Sequence, residues 1–203
     1  MSTWASWEDL LDAYGSTWAE EHGAEWQRTE ARMARGKRAR RRKSDGTPDF
    51  MIRLPGREPW RIEAKEGSRH HGAWPLSPGV EPKQISYLDA ATDRGEEAFI
   101  LLRWSPPETR IRPPGCRVWL LAWGDLAPRY HDHQEHLQAI AQRRHVKART
   151  GIVLEASEAP PPFALDELDT LAIKRWDVRA GVCPPWLDEA SAWVELWRGE
   201  VAP

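Results

Sequence analysis

Two continuous apolar runs restrict most strongly how this chain can fold. They are AFILLRW at Ala98 to Trp104 and RVWLLAW at Arg117 to Trp123. Uninterrupted apolar runs of this length are typical of strands that are covered on both faces. Helical and strand patterns elsewhere give the order α-β-β-α-β-β-α. We therefore expect an α/β fold with a mixed central β-sheet flanked by helices, rather than a helical bundle or a β-sandwich.

The other expected elements follow from periodicity and from turn residues. Apolar residues at three- and four-residue steps predict a first helix from Trp4 to about Trp26, with Ser6 as its cap. Gly15 and Gly23 are the positions where this helix could be interrupted or end. Further strands are expected at 48–54 and 60–65, and further helices at 83–94, 124–142, 164–171 and 184–197. We expect residues 1–150 to form the core, including a basic arm at 28–43. Residues 151–203 are expected to be a C-terminal extension that packs on this core and is not an independent domain.

Composition narrows the class of protein. The chain has 203 residues, of which 40% are hydrophobic, and no apolar run approaches the length of a membrane span. The N-terminus lacks a signal-peptide pattern, and the two cysteines lie far apart, so we expect a cytoplasmic protein without a membrane partner. No glycine-rich phosphate loop is present, so we expect no nucleotide cofactor.

Charge is distributed very unevenly along the chain. Residues 28–43, RTEARMARGKRARRRK, carry nine Lys or Arg against one Glu, a local charge of +8. The net charge of the whole chain is −2, so the other residues sum to −10. A charge run is often only a solvated face. This one ends six residues before Asp49, and a basic arm that leads into acidic residues suits a polyanionic substrate.

The stretch TPDFMIRLPGREPWRIEAKEG places acids on strands that otherwise have core character. If a hairpin turns near Gly56, Asp49 lies opposite Glu63 or its immediate neighbour, and strand alternation brings Glu63 and Lys65 to one face with Asp49. Adjacent carboxylates repel unless a cation or a proton lies between them. Oxygen ligands favour Mg²⁺, or Mn²⁺ in its place, and Lys65 would orient water or offset charge on the phosphate. The alternative is a solvated ladder of charges on an exposed strand.

These residues resemble the signature of the PD-(D/E)xK nuclease superfamily. The resemblance rests on Thr47-Pro48-Asp49, the hairpin and Glu63-Ala64-Lys65, and it is strongest to the recombination protein U family of Holliday-junction resolvases. Later segments follow in the family's order, namely Trp74-Pro75-Leu76, the helix opening at Gln84, the two apolar strands and Trp186-Leu187-Asp188.

The resemblance implies a restriction-endonuclease-like core and a metal-dependent endonuclease. Such an enzyme cuts four-way DNA junctions symmetrically as a homodimer and acts in DNA recombination and repair. The resemblance is compatible with a bacterial or a phage protein. Asp49 and Glu63 would bind Mg²⁺, Lys65 would help to activate water, and Gln84 would lie near the site. A carboxylate of the first helix would complete the metal site. Glu8 is the first candidate, with Asp9, Glu20 and Glu21 as competitors, although Glu8 also suits the positive end of the helix dipole.

Expected DNA contacts fall on two segments. They are the basic arm and the loop after the catalytic strand, with Lys37, Arg38, Arg40, Arg41, Arg42, Lys43, Arg69, His70 and His71 as the candidate residues. The arm is richer in arginine than the family pattern. Two alternatives therefore stay open: a restriction- or repair-like nuclease that acts on other DNA, and a DNA-binding protein with a decayed site.

Overall fold

The computed structural model describes residues 6–29, 47–67, 73–76, 79–105, 115–150, 158–179 and 182–198. It contains five helices among these residues: α1 Trp7–His22, α2 Pro82–Asp93, α3 Trp123–Thr150, α4 Leu165–Leu171 and α5 Trp186–Arg198. The strands of the same residues are β1 Glu25–Arg28, β2 Phe50–Arg53, β3 Trp60–Gly67, β4 Ala73–Trp74, β5 Glu97–Trp104, β6 Gly115–Ala122, β7 Phe163–Ala164 and β8 Lys174–Arg179.

The main sheet is mixed and has six strands in the order β1-β2-β3-β5-β6-β8. β3 and β5 pair in parallel, and the other neighbours pair antiparallel. A parallel pair needs a crossover connection, which α2 provides between β3 and β5. The predicted α/β fold with a mixed sheet flanked by helices is confirmed.

The first helix does not reach Trp26, and of the two ends that the sequence offered, the one at Gly23 is confirmed. Ser6 does cap α1 through a hydrogen bond from the backbone N–H of Asp9, at 3.1 Å. The helix stops at His22 because Gly23 takes a left-handed conformation with φ 63°. Glu25 and Trp26, the last residues of the expected helix, belong to the edge strand β1 instead. Two of its four residues are charged and two are exposed, so its sequence gives no strand signal.

Three further differences come from short or uncapped elements. The strand β8 was not predicted, because four of its six residues are charged and an edge strand needs no continuous apolar face. The two-residue strands β4 and β7 pair across a long stretch of chain. The helix α3 runs eight residues beyond its expected end at 142, because the sequence offers no Gly or Pro between residue 142 and Gly151.

Two apolar layers cover the two faces of the sheet. One layer joins α1 and α5 to Phe50, Ile62 and their neighbours on β2, β3, β5 and β6. The other joins α2, α3 and α4 to the alternate side chains of β5 and β6. Tryptophan fills much of both layers; Trp60, Trp74, Trp119, Trp123 and Trp186 are all fully buried.

The C-terminal segment belongs to this core. β8 extends the sheet beside β6, and α5 buries Trp186, Leu187, Ala190 and Val194 against the layer that α1 also covers. The division of the chain at residue 150 stays a prediction. No helix among the described residues has the length and apolar character needed to cross a membrane.

Candidate active site

Asp49 is fixed at the start of β2 from both sides. β2 and β3 are in register with Phe50 opposite Ile62, which places Asp49 opposite Glu63 as the sequence predicts. The side-chain Oδ2 of Asp49 accepts a hydrogen bond from the backbone N–H of Ala64 at 2.9 Å. Its carbonyl accepts one from the N–H of Thr29 at 2.8 Å. The carboxylate is 7% exposed and is therefore held with little freedom.

Glu63 and Lys65 lie on the face of the sheet that α2 crosses. Their neighbours on β3, Ile62 and Ala64, face the α1 and α5 layer, so alternation sends Glu63 and Lys65 to the opposite side. The Nζ of Lys65 lies 2.8 Å from Oε1 of Glu63. Glu63 is 1% exposed, whereas the side chain of Lys65 is 18% exposed and so reaches the surface of the site.

Gln84 connects these two side chains from the first turn of α2. Its Oε1 accepts hydrogen bonds from Nζ of Lys65 at 2.9 Å and from the backbone N–H of Glu81 at 3.0 Å. Its Nε2 donates to Oε1 of Glu63. Because two donors already fix the oxygen end of the amide, the nitrogen end is directed to the carboxylate. The crossover α2 thus brings Gln84 to the pair on β3, as expected from the sequence.

Burial controls the ionisation of this site. Removal from water, and next the nearby negative charge of Asp49, raise the pKa of Glu63 to about 8, while Lys65 opposes both effects. The buried Oε2 of Glu63 has no hydrogen-bond partner. A carboxyl group in this setting either holds a proton or shares a cation.

The carboxylates suit a hard cation. Asp49 and Glu63 offer only oxygen ligands, and the unpartnered Oε2 of Glu63 is an open ligand atom. Within the described ranges, no group of three or more His, Cys, Asp or Glu is arranged to hold a metal ion. Mg²⁺ commonly binds through one or two carboxylates, with water and substrate phosphate as its other ligands, so two carboxylates suffice for this class of site.

The structure does not bring Glu8 into such a group. Arg28 on β1 forms ion pairs with Glu8 and Asp9 of α1, each at 3.0 Å, and lies 3.7 Å from Asp12. The helix α1 also covers the face of the sheet opposite Glu63 and Lys65. Glu8 is thus engaged by Arg28, and its expected role as a metal ligand stays a prediction.

All nine expected DNA contacts fall outside the described residues. This holds for Lys37, Arg38, Arg40, Arg41, Arg42 and Lys43 of the arm and for Arg69, His70 and His71 of the loop. Of the basic segment 28–43, the structure describes residues 28 and 29, and its DNA-binding role stays a prediction.

Two residues that hold the site were missed from the sequence. Thr29 anchors the backbone of Asp49, and Glu81 fixes the amide of Gln84. Pro82 at the first position of α2 does signal that the helix starts there, which would have put Glu81 at the cap. No local pattern signals the contact of Thr29, because it depends on β1 pairing with β2.

No protein-family model matches this chain, and a search of curated proteins found no match to it. The functional conclusion therefore rests on the geometry and chemistry of the residues described above.

Proposed function

We propose that this protein is a Mg²⁺-dependent DNA endonuclease with a PD-(D/E)xK core of the restriction-endonuclease type. We further propose that it is a Holliday-junction resolvase that acts as a homodimer. One observation carries the proposal: Glu63, Lys65 and Gln84 form one hydrogen-bonded cluster, and the buried Asp49 lies near enough for its charge to raise the pKa of Glu63. The backbone N–H of Ala64 fixes Asp49 beside this cluster. A solvated ladder of surface charges would not bury its carboxylates to 7% and 1% exposure.

The chemistry is hydrolysis of a phosphodiester. Mg²⁺ bound by Asp49 and Glu63, with Mn²⁺ able to replace it, would polarise the phosphate and lower the pKa of water. The residues of the chain supply the remaining functions. The hydrogen bond from Ala64 fixes the Asp49 carboxylate, and Gln84 holds Glu63 in place. These fixed positions avoid reorganisation during the reaction.

Lys65 is the residue best placed to act on water or on the phosphate. Its ammonium lies between Glu63 and Gln84, and its partial exposure leaves it accessible to a substrate. It can donate a hydrogen bond to an attacking water and offset negative charge on the phosphate oxygens.

The choice of a four-way junction as substrate is supported by the resemblance to the resolvase family. The local charge of +8 in residues 28–43 suits binding to DNA in general. A homodimer would present two such sites to two strands, as symmetric cleavage requires.

The test is cleavage of an end-labelled synthetic four-way junction in the presence of Mg²⁺. We expect symmetric nicks from the native chain and a loss of at least about 100-fold in Asp49→Asn and in Lys65→Ala. Asn retains an oxygen that can accept the hydrogen bond of Ala64, so Asp49→Asn removes charge with little change in packing. Glu66→Gln is the matched control, because Glu66 lies on the same strand with its side chain 58% exposed.

The outcomes separate the candidate functions. Equal cutting of linear duplex would favour a restriction- or repair-like nuclease. Tight DNA binding without cutting in either Mg²⁺ or Mn²⁺ would indicate a decayed site. Full activity in Asp49→Asn would contradict the proposed centre itself.

A further inference from the structure

The distal half of α3 differs in both burial and charge from the other helices of the described residues. The first turns of α3 bury Trp123, Leu126, Ala127 and Tyr130 in the layer that also contains α2. After Tyr130, none of the described side chains of the helix is buried. From Leu137 to Thr150, a length of about 20 Å, the helix has no Asp or Glu. The same stretch contains Arg143, Arg144, Lys147 and Arg149.

These cations lack the partners that other cations of the protein have. Most of the Lys and Arg elsewhere in the described ranges have a carboxylate within 4 Å, namely Arg28, Arg53, Arg57, Arg61, Lys65, Arg94, Arg103, Arg117, Arg129, Lys174 and Arg175. Among the same described residues, the four cations of distal α3 have none. Nη1 of Arg143 is even buried without a hydrogen-bond partner.

Helix stability explains only part of this pattern. Cations in the last turn interact favourably with the helix dipole, which accounts for Lys147 and Arg149. The dipole effect fades within one turn and does not reach Arg143 or Arg144. Arg143 and Lys147 are four residues apart, where like charges destabilise a helix by a few tenths of a kcal/mol, about 0.2–0.5. The helix dipole thus leaves Arg143 and Arg144 unexplained, and an external anion would relieve the repulsion between Arg143 and Lys147.

The arrangement fits a phosphate backbone. At 3.6 residues per turn, Arg143, Arg144 and Lys147 lie within about 100° of one another and form one basic edge. A helix that binds a membrane surface would carry bulky apolar residues along the whole of one face. The stretch from Leu137 to Thr150 has three of them, Leu137, Ile140 and Val146, which are too few for a continuous apolar face. The nucleic-acid partner is therefore favoured over an anionic membrane.

We propose that Arg143, Arg144 and Lys147 form a second DNA-binding surface, separate from the basic arm, which contacts phosphates of a duplex flanking the cleavage site. The surface lies on the distal half of α3. The first turns of α3 pack with α2, which carries Gln84, on the same face of the sheet as Glu63 and Lys65. This inference rests on the proposed function for its choice of DNA, and it adds the place where a duplex arm is bound.

The test compares two triple variants of the full chain that change net charge equally. The first is Arg143→Gln, Arg144→Gln and Lys147→Gln; Gln is a good helix former, and circular dichroism at 222 nm checks that α3 is retained. The control is Arg53→Gln, Arg117→Gln and Lys174→Gln, three exposed cations that already have carboxylate partners. Binding of a fluorescein-labelled four-way junction is measured by anisotropy in EDTA over a range of salt concentrations.

We expect the α3 variant to bind about 10- to 100-fold more weakly at low salt. The slope of log K against log salt should become shallower by about 2 to 3, and the control should change it by less than about 1. Equal slopes in the α3 variant and the native chain would overturn the inference, and so would equal losses in both variants. Binding to phosphatidylserine vesicles that depends on these residues, with DNA binding unchanged, would also overturn it.

The nuclease proposal has a separate readout. If the native chain fails to cut DNA but its salt slope depends on α3, the DNA-binding surface stands and the catalytic proposal fails. If the α3 variant still cuts DNA and its salt slope equals that of the native chain, the catalytic proposal stands and the DNA-binding surface on α3 is wrong.

Discussion

The carboxyl group of Glu63 sets how the site responds to pH. Burial first, and then the charge of Asp49, raise its pKa from the ordinary 4.5 to about 8. Lys65 lies within 2.8 Å of Oε1 and only partly offsets this effect. Without a cation, the folded protein therefore favours the protonated carboxyl at neutral pH.

This gives a prediction for the stability of the metal-free protein. Below pH 4.5 Glu63 is protonated in both states, and between 4.5 and about 8 the unfolded chain loses a proton that the folded protein keeps. The free energy of unfolding should thus fall as pH rises to about 8, by about 2–4 kcal/mol from this group. Urea unfolding is measured in EDTA at pH 5 and pH 8.5. Between these two pH values, the free energy of unfolding should fall less in Glu63→Gln than in the native chain.

The matched substitution is Glu66→Gln, on the same strand with a mostly exposed side chain. It should leave the pH dependence of the native chain unchanged. An identical fall in Glu63→Gln and the native chain would mean that Glu63 ionises at its ordinary pKa.

At the scale of the elements, the packing of α1 on β1 depends on a close contact between Gly15 and the ring of Trp26. A Cβ at Gly15 would lie 2.4 Å from the ring of Trp26, so the glycine makes room for the indole beneath the helix. The Nε1 of Trp26 donates to Oδ1 of Asp12 at 2.9 Å, which fixes the ring. The ring also stacks on Phe50, next to Asp49, with centroids 5.0 Å apart.

Gly15→Ala should therefore destabilise the protein, although alanine is the better helix former by about 1 kcal/mol. Overpacking against a fixed ring should cost about 1–3 kcal/mol net, measured by urea unfolding. Gly124→Ala in α3 is the control, because nothing lies within 4 Å of its added Cβ, and it should be neutral or stabilising. A stabilised Gly15→Ala variant would show that Trp26 moves away at little cost.

Periodicity predicted the elements that carry an apolar face. β2, β3, β5 and β6 follow from alternation or from continuous apolar runs, and α2 and α5 follow from turn and helix patterns. The edge strands β1 and β8 could not be predicted in this way, because their hydrogen bonds come from neighbours distant in the chain and their side chains are largely exposed.

The candidate site, too, could be predicted from the sequence only where a pattern of side chains reveals it. Alternation predicts that Asp49, Glu63 and Lys65 meet, and the resemblance adds Gln84. Thr29 and Glu81 act through backbone groups, which the sequence pattern does not reveal.

At the scale of the whole molecule, the C-terminal segment completes the core. Trp186, Leu187, Ala190 and Val194 of α5 are fully buried beside Leu11 of α1. Asp188 accepts a hydrogen bond from Nε1 of Trp18 at 2.7 Å, which ties α5 to α1. The first and last helices thus jointly cover one face of the sheet.

A chain truncated after residue 157 should therefore fail to fold cooperatively. It would lose β7, α4, β8 and α5 and expose the apolar layers that α4 and α5 cover. Removing a single buried Trp already costs about 3–5 kcal/mol. Thermal unfolding followed by near-ultraviolet circular dichroism should show no sharp transition, whereas a chain ending at 198 should keep one. A cooperative transition in the shorter chain would show that residues 1–157 fold alone.

The central claim is that Asp49 and Glu63 jointly hold a hard cation, and Mn²⁺ binding tests it most directly. The free Mn²⁺ signal in electron paramagnetic resonance, followed during titration at pH 8, gives the number of ions per chain and their affinity. Asp177→Asn on β8 serves as the charge control, since Asp177 is exposed and paired with Arg175. We predict one ion per native chain, unchanged binding in Asp177→Asn and binding at least about tenfold weaker in Asp49→Asn. Equal affinity in Asp49→Asn and the native chain, or no binding to the native chain, would contradict the account.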